Sequence, residues 1–227
     1  MIRGPPRSTI SPYTARFRSD DIITGSGNTR AVYSDATGSV TVDLSTATGS
    51  AFGAGVGTDT LTGVNRITGS AFDDVFTGGL FNGVNTFRGG AGDDIIDGTA
   101  GLTRVDYHDS GATQGVTVDL GTLDGSGNVI VIDGFGDTDT LTNIEYVVGT
   151  RFDDVLTGDD LNNRLRGAEG SDVIDGGAGI DYAEYTLNNG SVTVDLSTNS
   201  ALDSFGGTDP LINIENVFGS AYADTLT

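Results

Sequence analysis

A nine-residue period constrains this chain more than any other feature. From Gly149 it divides into GTRFDDVLT, GDDLNNRLR, GAEGSDVID and GGAGIDYAE. Position six reads Asp154, Asn163, Asp172 and Asp181, and position eight reads Leu156, Leu165, Ile174 and Ala183. An earlier block runs GSAFDDVFT from Gly69, an eleven-residue variant from Gly78, and GGAGDDIID from Gly89. A chain of this kind must turn at short, regular intervals. Its 36 glycines suit such turns. They do not suit a helical globule, because an interior glycine costs a helix about 1 kcal/mol relative to alanine.

A longer period encloses the short one. VTVDL occurs at Val40–Leu44, Val116–Leu120 and Val192–Leu196. Its apolar residues alternate with polar ones, the period-two signal of a half-buried strand. Each copy leads through a variable Gly/Ser/Thr-rich loop to an Asp-x-Leu element, at Asp59–Leu61, Asp139–Leu141 and Asp209–Leu211. A VNRITGSAFDDVFTG-like segment follows each time. Nested repetition of this kind signals a solenoid, in which each repeat buries its apolar face only by stacking on its neighbours. Residues 20–227 are therefore expected to form one repeat region of three long units, about 20–98, 99–176 and 177–227. Both ends fall inside a repeat, as in a fragment of a longer protein.

The acidic residues are 28 Asp and 4 Glu, every basic residue is an arginine, and the net charge is −21. Asp favours turns, where its short carboxylate reaches nearby backbone groups. The balance excludes nucleic acid and anionic membrane surfaces, which require clustered Lys and Arg. It points to a cation that neutralises the carboxylates. Cysteine is absent, which removes disulfides and thiolate metal sites. No apolar run approaches the length of a membrane span.

Met1 to Ser19, MIRGPPRSTISPYTARFRS, stands apart. It holds four of the eleven arginines, three of the four prolines and no acid. It resembles the translation of a sequencing-library adaptor, as in a metagenomic fragment, and is expected to be a disordered, non-native leader. Without it the charge is 7 minus 32, or −25.

Gly89–Asp97 fits GGxGxDxUx at every specified position, where U is a large apolar residue. With the other nonapeptides, it resembles the RTX, or hemolysin-type, calcium-binding repeat family. The resemblance implies an all-β fold, a right-handed parallel β-roll built from nonapeptide half-turns, with Ca2+ as its cofactor. Positions one to six form a turn and positions seven to nine a short strand. Two nonapeptides make one coil, so like faces recur every 18 residues. Strands about 4.8 Å apart bring the position-six carboxylates of neighbouring coils together. The family's calcium sites lie between turns on one edge of the roll. Carried over by position, they pair Asp154 with Asp172 and Asp74 with Asp94 on one edge, and Asn163 with Asp181, and upstream Glu145 with Asn163, on the other. Glycine carbonyls would come from Gly90, Gly92, Gly170, Gly177 and Gly179. Calcium takes six to eight oxygen ligands, which suits this mixture of carboxylates and carbonyls. Asn65, Asn85 and Thr103 fill position six on the second edge of the first block, and Phe72, Phe152 and Leu161 interrupt the glycine pattern. Tyr33, Tyr107 and Tyr185 each close a block before VTVDL and read as packing residues.

No catalytic constellation is present. His108 is the only histidine, and no Ser/His/Asp arrangement, P-loop or Rossmann fingerprint occurs. Asp124-Gly125-Ser126-Gly127-Asn128 matches only the start of an EF-hand loop. The expected function is a non-enzymatic, calcium-binding region of a secreted bacterial protein. It would be exported by type I secretion and would fold outside the cell, or at its surface. The alternatives are an adhesin repeat that binds an extracellular surface ligand, favoured by a regular threonine array, and the non-catalytic C-terminal part of a secreted enzyme.

Overall fold

The computed structural model describes residues 15–16, 19–79, 83–99 and 101–227, and these contain strands and no helix. Two compact units divide at Thr103 and Arg104. In both, short parallel strands stack coil upon coil.

In the second unit, Val155–Thr157 pairs with Val173–Asp175 in parallel, with Leu156 opposite Ile174. Tyr146–Val148, Arg164–Arg166 and Tyr182–Glu184 form the other stack, with Val147, Leu165 and Ala183 in register. The step between partners is 18 residues, two nonapeptides per coil. In the first unit the step is 20, Phe76 opposite Ile96 and Ile67 opposite Phe87. The eleven-residue variant accounts for the two extra residues.

Position eight builds the core. Phe76, Phe87, Ile96, Leu156, Leu165, Ile174 and Ala183 have no solvent exposure, and the rings of Phe76 and Phe87 stack with centroids 5.5 Å apart. Burying side chains of this size contributes about 1.5–3 kcal/mol each. Of their neighbours at positions seven and nine, Ile95 and Val155 are exposed, whereas Arg166 and Glu184 are buried. The all-β, parallel-roll architecture thus follows from one apolar residue per nine.

The VTVDL copies are strands, at Val40–Asp43, Thr117–Asp119 and Thr193–Asp195. The segments read as loops each contain a further strand: Thr48–Gly53, Val129–Ile132 and Ser200–Leu202. These run antiparallel to both flanking strands, so each long repeat inserts an antiparallel meander into the parallel roll. The period-two pattern is visible in retrospect, since Val129 and Val131 are buried while Ile130 and Ile132 are exposed.

The expected leader falls largely outside the described residues. Within it, Ala15–Arg16 form a two-residue strand that pairs in parallel with Ala31 and Val32.

Candidate metal centre

Stacking brings each position-six residue against the backbone of the preceding coil. The Asp172 carboxylate accepts the Asp154 N–H through Oδ1 at 2.9 Å. Asp94 accepts the Asp74 N–H at 2.8 Å, and Asp181 accepts the Asn163 N–H at 2.6 Å. The ladder continues past the nonapeptides. Asp209 accepts the Asp172 N–H at 3.0 Å, and Glu215 accepts the Asp181 N–H at 2.8 Å. The expected pairs Asp74/Asp94, Asp154/Asp172 and Asn163/Asp181 are therefore spatial neighbours, joined by a backbone-to-carboxylate bond, and Glu145, expected beside Asn163, accepts the Arg164 N–H through its backbone carbonyl.

The turns that carry these acids are of two kinds. In Gly69–Thr77 and Gly149–Thr157, position two is Ser70 or Thr150, whose N–H and hydroxyl both donate to the aspartate of the same turn. A third donor comes from the VTVDL strand: the Val40 N–H reaches Asp74 at 2.6 Å and the Val116 N–H reaches Asp154 at 2.7 Å. Each of these carboxylates is closed by three protein donors. Gly158–Arg166 resembles them, because the Asp159 N–H donates to Asn163 Oδ1 at 2.7 Å.

In Gly89–Asp97, Gly167–Asp175 and Gly176–Glu184, position two has left-handed backbone, with φ of 113° at Gly90, 86° at Ala168 and 83° at Gly177. Position four repeats this at Gly92, Gly170 and Gly179, with φ of 110°, 118° and 118°. Such backbone reorients the amides and carbonyls of the turn, and at position four glycine has a second reason. A Cβ on Gly170 would lie 2.6 Å from the Phe152 carbonyl oxygen, and one on Gly179 would lie 2.5 Å from that of Leu161. The bulky residues that interrupt the glycine pattern thus sit in the closed turns, which need no left-handed backbone there.

In two of the open turns the carboxylate keeps an oxygen in hand. Asp172 Oδ2 and Asp181 Oδ2 are buried and make no hydrogen bond. Loss of hydration pushes the Asp172 carboxyl up to about 8, partly offset by the Asp154 N–H and reinforced by the charges of Asp154, Asp209 and Asp203. Desolvation also raises Asp181, with Glu215, Asp159 and Asp175 adding to it. Closed Asp154 rises only to about 6, for the same first reason, because its donors favour the anion. A buried, unsatisfied anionic oxygen is costly without a cation. Among the described residues no three acidic or histidine side chains converge on one point. A metal here would thus take carboxylates in ones and twos, with carbonyls completing its shell. Hard oxygen donors, a negative charge and no nitrogen or sulfur fit calcium.

The profile of the RTX calcium-binding nonapeptide repeat matches four copies, over residues 59–80, 81–101 and 148–183. Those residues are RTX calcium-binding nonapeptide repeats. No curated protein matches the chain. The matched RTX segments contain all six of the turns described above except the last residue of the sixth.

Other position-six residues differ from those of the open turns. Asn65, Asn85 and Thr103 are buried and donate to the carbonyls of Val84, Gly79 and Gly98. Neutral donors there do by hydrogen bonding what a cation would do elsewhere. Sequence reasoning missed the ladder role of Asp59 and Asp209. Each stands two residues before a core leucine, as position six stands before position eight, and that spacing was the available signal. Asp59 accepts the Asp21 N–H at 2.9 Å and the Tyr33 hydroxyl at 3.1 Å, and Tyr185 donates to Asp209 at 3.0 Å. These tyrosines are buried, as packing residues are, and also cap the ladder. His108 is exposed.

Proposed function

We propose that this chain is a calcium-dependent folding module of a protein exported by type I secretion, without catalysis of its own, whose open turns hold calcium between coils. The ligands would be Asp94, Asp172 and Asp181, with carbonyls of the turns containing Gly90, Gly92, Gly170, Gly177 and Gly179. Asp74, Asp154 and Asn163 would shape the site from the adjacent coil through their backbone. The observation that carries the reading is the pair of buried carboxylate oxygens, on Asp172 and Asp181, that no protein donor satisfies. Calcium supplies the missing positive charge there.

A net charge of −21 opposes compaction of the metal-free chain. Extracellular calcium modules bind with Kd on the order of 10⁻⁴–10⁻³ M. At about 1 mM calcium each site then contributes roughly 0.4–1.4 kcal/mol, and coupled sites together decide folding. The chain would stay unfolded at cytosolic calcium and fold outside. Circular dichroism in chelator, magnesium and millimolar calcium tests this. A β spectrum that forms only in calcium is expected, since magnesium demands tight octahedral geometry. The same β spectrum in chelator would sink the reading.

An adhesive role has one observation in its favour. Thr24, Thr62 and Thr48 align across three paired strands of the first unit and are exposed. The row spans only three strands, so the calcium reading stands first.

A further inference from the structure

The second unit has a carboxylate that the nonapeptides do not account for. Asp203 lies between the strands Ser200–Leu202 and Thr208–Ile212, outside the matched repeats. Its Oδ1 accepts three backbone N–H groups, from Phe205 at 3.0 Å, Gly206 at 2.7 Å and Gly207 at 2.6 Å. That is the full task of a turn-forming aspartate. Its Oδ2 is buried and has no hydrogen-bond partner, and the residue is 5% exposed.

The arrangement recurs in the previous long repeat. Asp133 Oδ1 accepts the N–H groups of Phe135, Gly136 and Asp137 at 2.9, 2.8 and 2.8 Å, and its Oδ2 is likewise buried without a partner. Both loops read Asp-x-Phe-Gly, with left-handed glycine at Gly136 and Gly206. Exposed aspartates that form comparable turns, such as Asp124, leave neither oxygen buried and idle: Asn128 Nδ2 donates to Asp124 Oδ2 at 3.3 Å.

The surroundings of Asp203 Oδ2 are acidic and oxygen-lined. A Cβ built on Gly207 would stand 1.6 Å from the Gly170 carbonyl oxygen and 3.3 Å from Asp203 Oδ2, which bounds the separation of those oxygens at about 4.9 Å. Two ligands of one calcium ion, each about 2.3–2.6 Å from it, can be that far apart. Gly170 belongs to the open turn of Asp172, whose own Oδ2 is buried and unpartnered. Asp209 cannot contribute in the same way, because the Asp172 N–H and the Tyr185 hydroxyl occupy both its oxygens. Asp203 is also close enough to Asp172 for its charge to act there, and both act on the buried Tyr185 hydroxyl, so two idle anionic oxygens and a carbonyl share one neighbourhood.

We propose that Asp203 is a metal ligand supplied by the antiparallel insertion, holding a calcium ion together with Asp172 and the Gly170 carbonyl. The insertion thereby locks onto the roll only when calcium is present. This rests on the calcium reading of the open turns, and the test separates the two. Asp203→Asn keeps the oxygen that accepts three N–H groups and replaces the idle one with an uncharged amide. Calorimetric titration of calcium into the full chain is then compared for wild type, Asp203→Asn, Asp181→Asn on the other edge, and exposed Asp124→Asn.

The expected result is one ion fewer for Asp203→Asn, or a midpoint raised by about tenfold, as when a charged ligand becomes neutral, with Asp124→Asn unchanged. A titration of Asp203→Asn that matches wild type while Asp181→Asn weakens binding overturns the Asp203 assignment and leaves the nonapeptide sites standing. Wild type that takes up no calcium overturns both. Should Asp203→Asn not fold even in calcium, terbium emission excited through tyrosine is compared in wild type and Tyr185→Phe. Emission that drops in Tyr185→Phe supports an ion beside Asp172 and Asp203, and unchanged emission overturns it.

Discussion

The turns Gly149–Thr157 and Gly167–Asp175 lie one coil apart on the same edge, carry an aspartate at the same position, and use it in opposite ways. Asp154 is closed by Thr150 and Val116. Asp172 makes one bond to the neighbouring backbone and leaves its second oxygen buried and idle. The difference comes from position two. Threonine there donates its N–H and hydroxyl to the acid, whereas Ala168, in left-handed backbone, does not. One motif thus yields a self-satisfied turn and a turn with a buried carboxylate oxygen left over.

The largest test of that comparison is Gly170→Ala. The new methyl would meet the Phe152 carbonyl and the Asp153 nitrogen within 3 Å and would sit at a φ of 118°. Left-handed strain and a backbone clash together are expected to cost about 3 kcal/mol or more. Thermal melts in saturating calcium should show it, and a melt equal to wild type would mean that the coils do not approach as closely as described.

Asp154→Ala comes next. It strands three buried donors, and each unsatisfied group costs about 1–3 kcal/mol. The loss should be present in calcium and, wherever the metal-free fold is measurable, in chelator. Asp172→Asn should do the reverse, losing calcium affinity but not metal-free stability. Should both variants respond to calcium alike, the division into closed and open turns is wrong.

A pH series in chelator follows. Burial pushes Asp172 to about 8 and Asp154, Asp209 and Asp59 to about 6, from an ordinary value of 3.8. A carboxyl raised in the fold binds more protons there than in the unfolded chain, so stability falls as pH rises from about 4 to about 8 and is level above. Residual β signal in chelator should accordingly grow on acidification. Calcium should flatten the profile at neutral pH. A metal-free fold that gains stability from pH 5 to pH 8 would contradict the burial of these acids.

The smallest expected effect is Ala168→Gly, which removes a side chain from a φ of 86°. Relief of that strain should stabilise the calcium-loaded roll by about 1 kcal/mol, offset in part by the freer unfolded chain. A drop in melting temperature would show that the Ala168 methyl contributes packing instead.

The sequence by itself determined the coil. One apolar residue in nine leaves only a turning chain whose position-eight side chains stack, and the RTX resemblance then implied the β-roll and the neighbour relations Asp74/Asp94, Asp154/Asp172 and Asn163/Asp181, with Phe76, Phe87 and Ile96 in the core of one unit and Leu156, Leu165 and Ile174 in that of the other. Tertiary structure decided which oxygens remain free. Whether an aspartate is closed depends on a donor one coil or one meander away, such as the Val40 N–H for Asp74, 34 residues distant. The antiparallel strands of the insertion were hidden for a related reason. Their pairing is stabilised by VTVDL and Asp-x-Leu strands on either side, and short segments such as Ser200–Leu202 carry too few residues to declare a period. The Asp203 carboxylate reads in sequence as one more turn acid, and only burial beside Gly170, Asp172 and Tyr185 sets it apart.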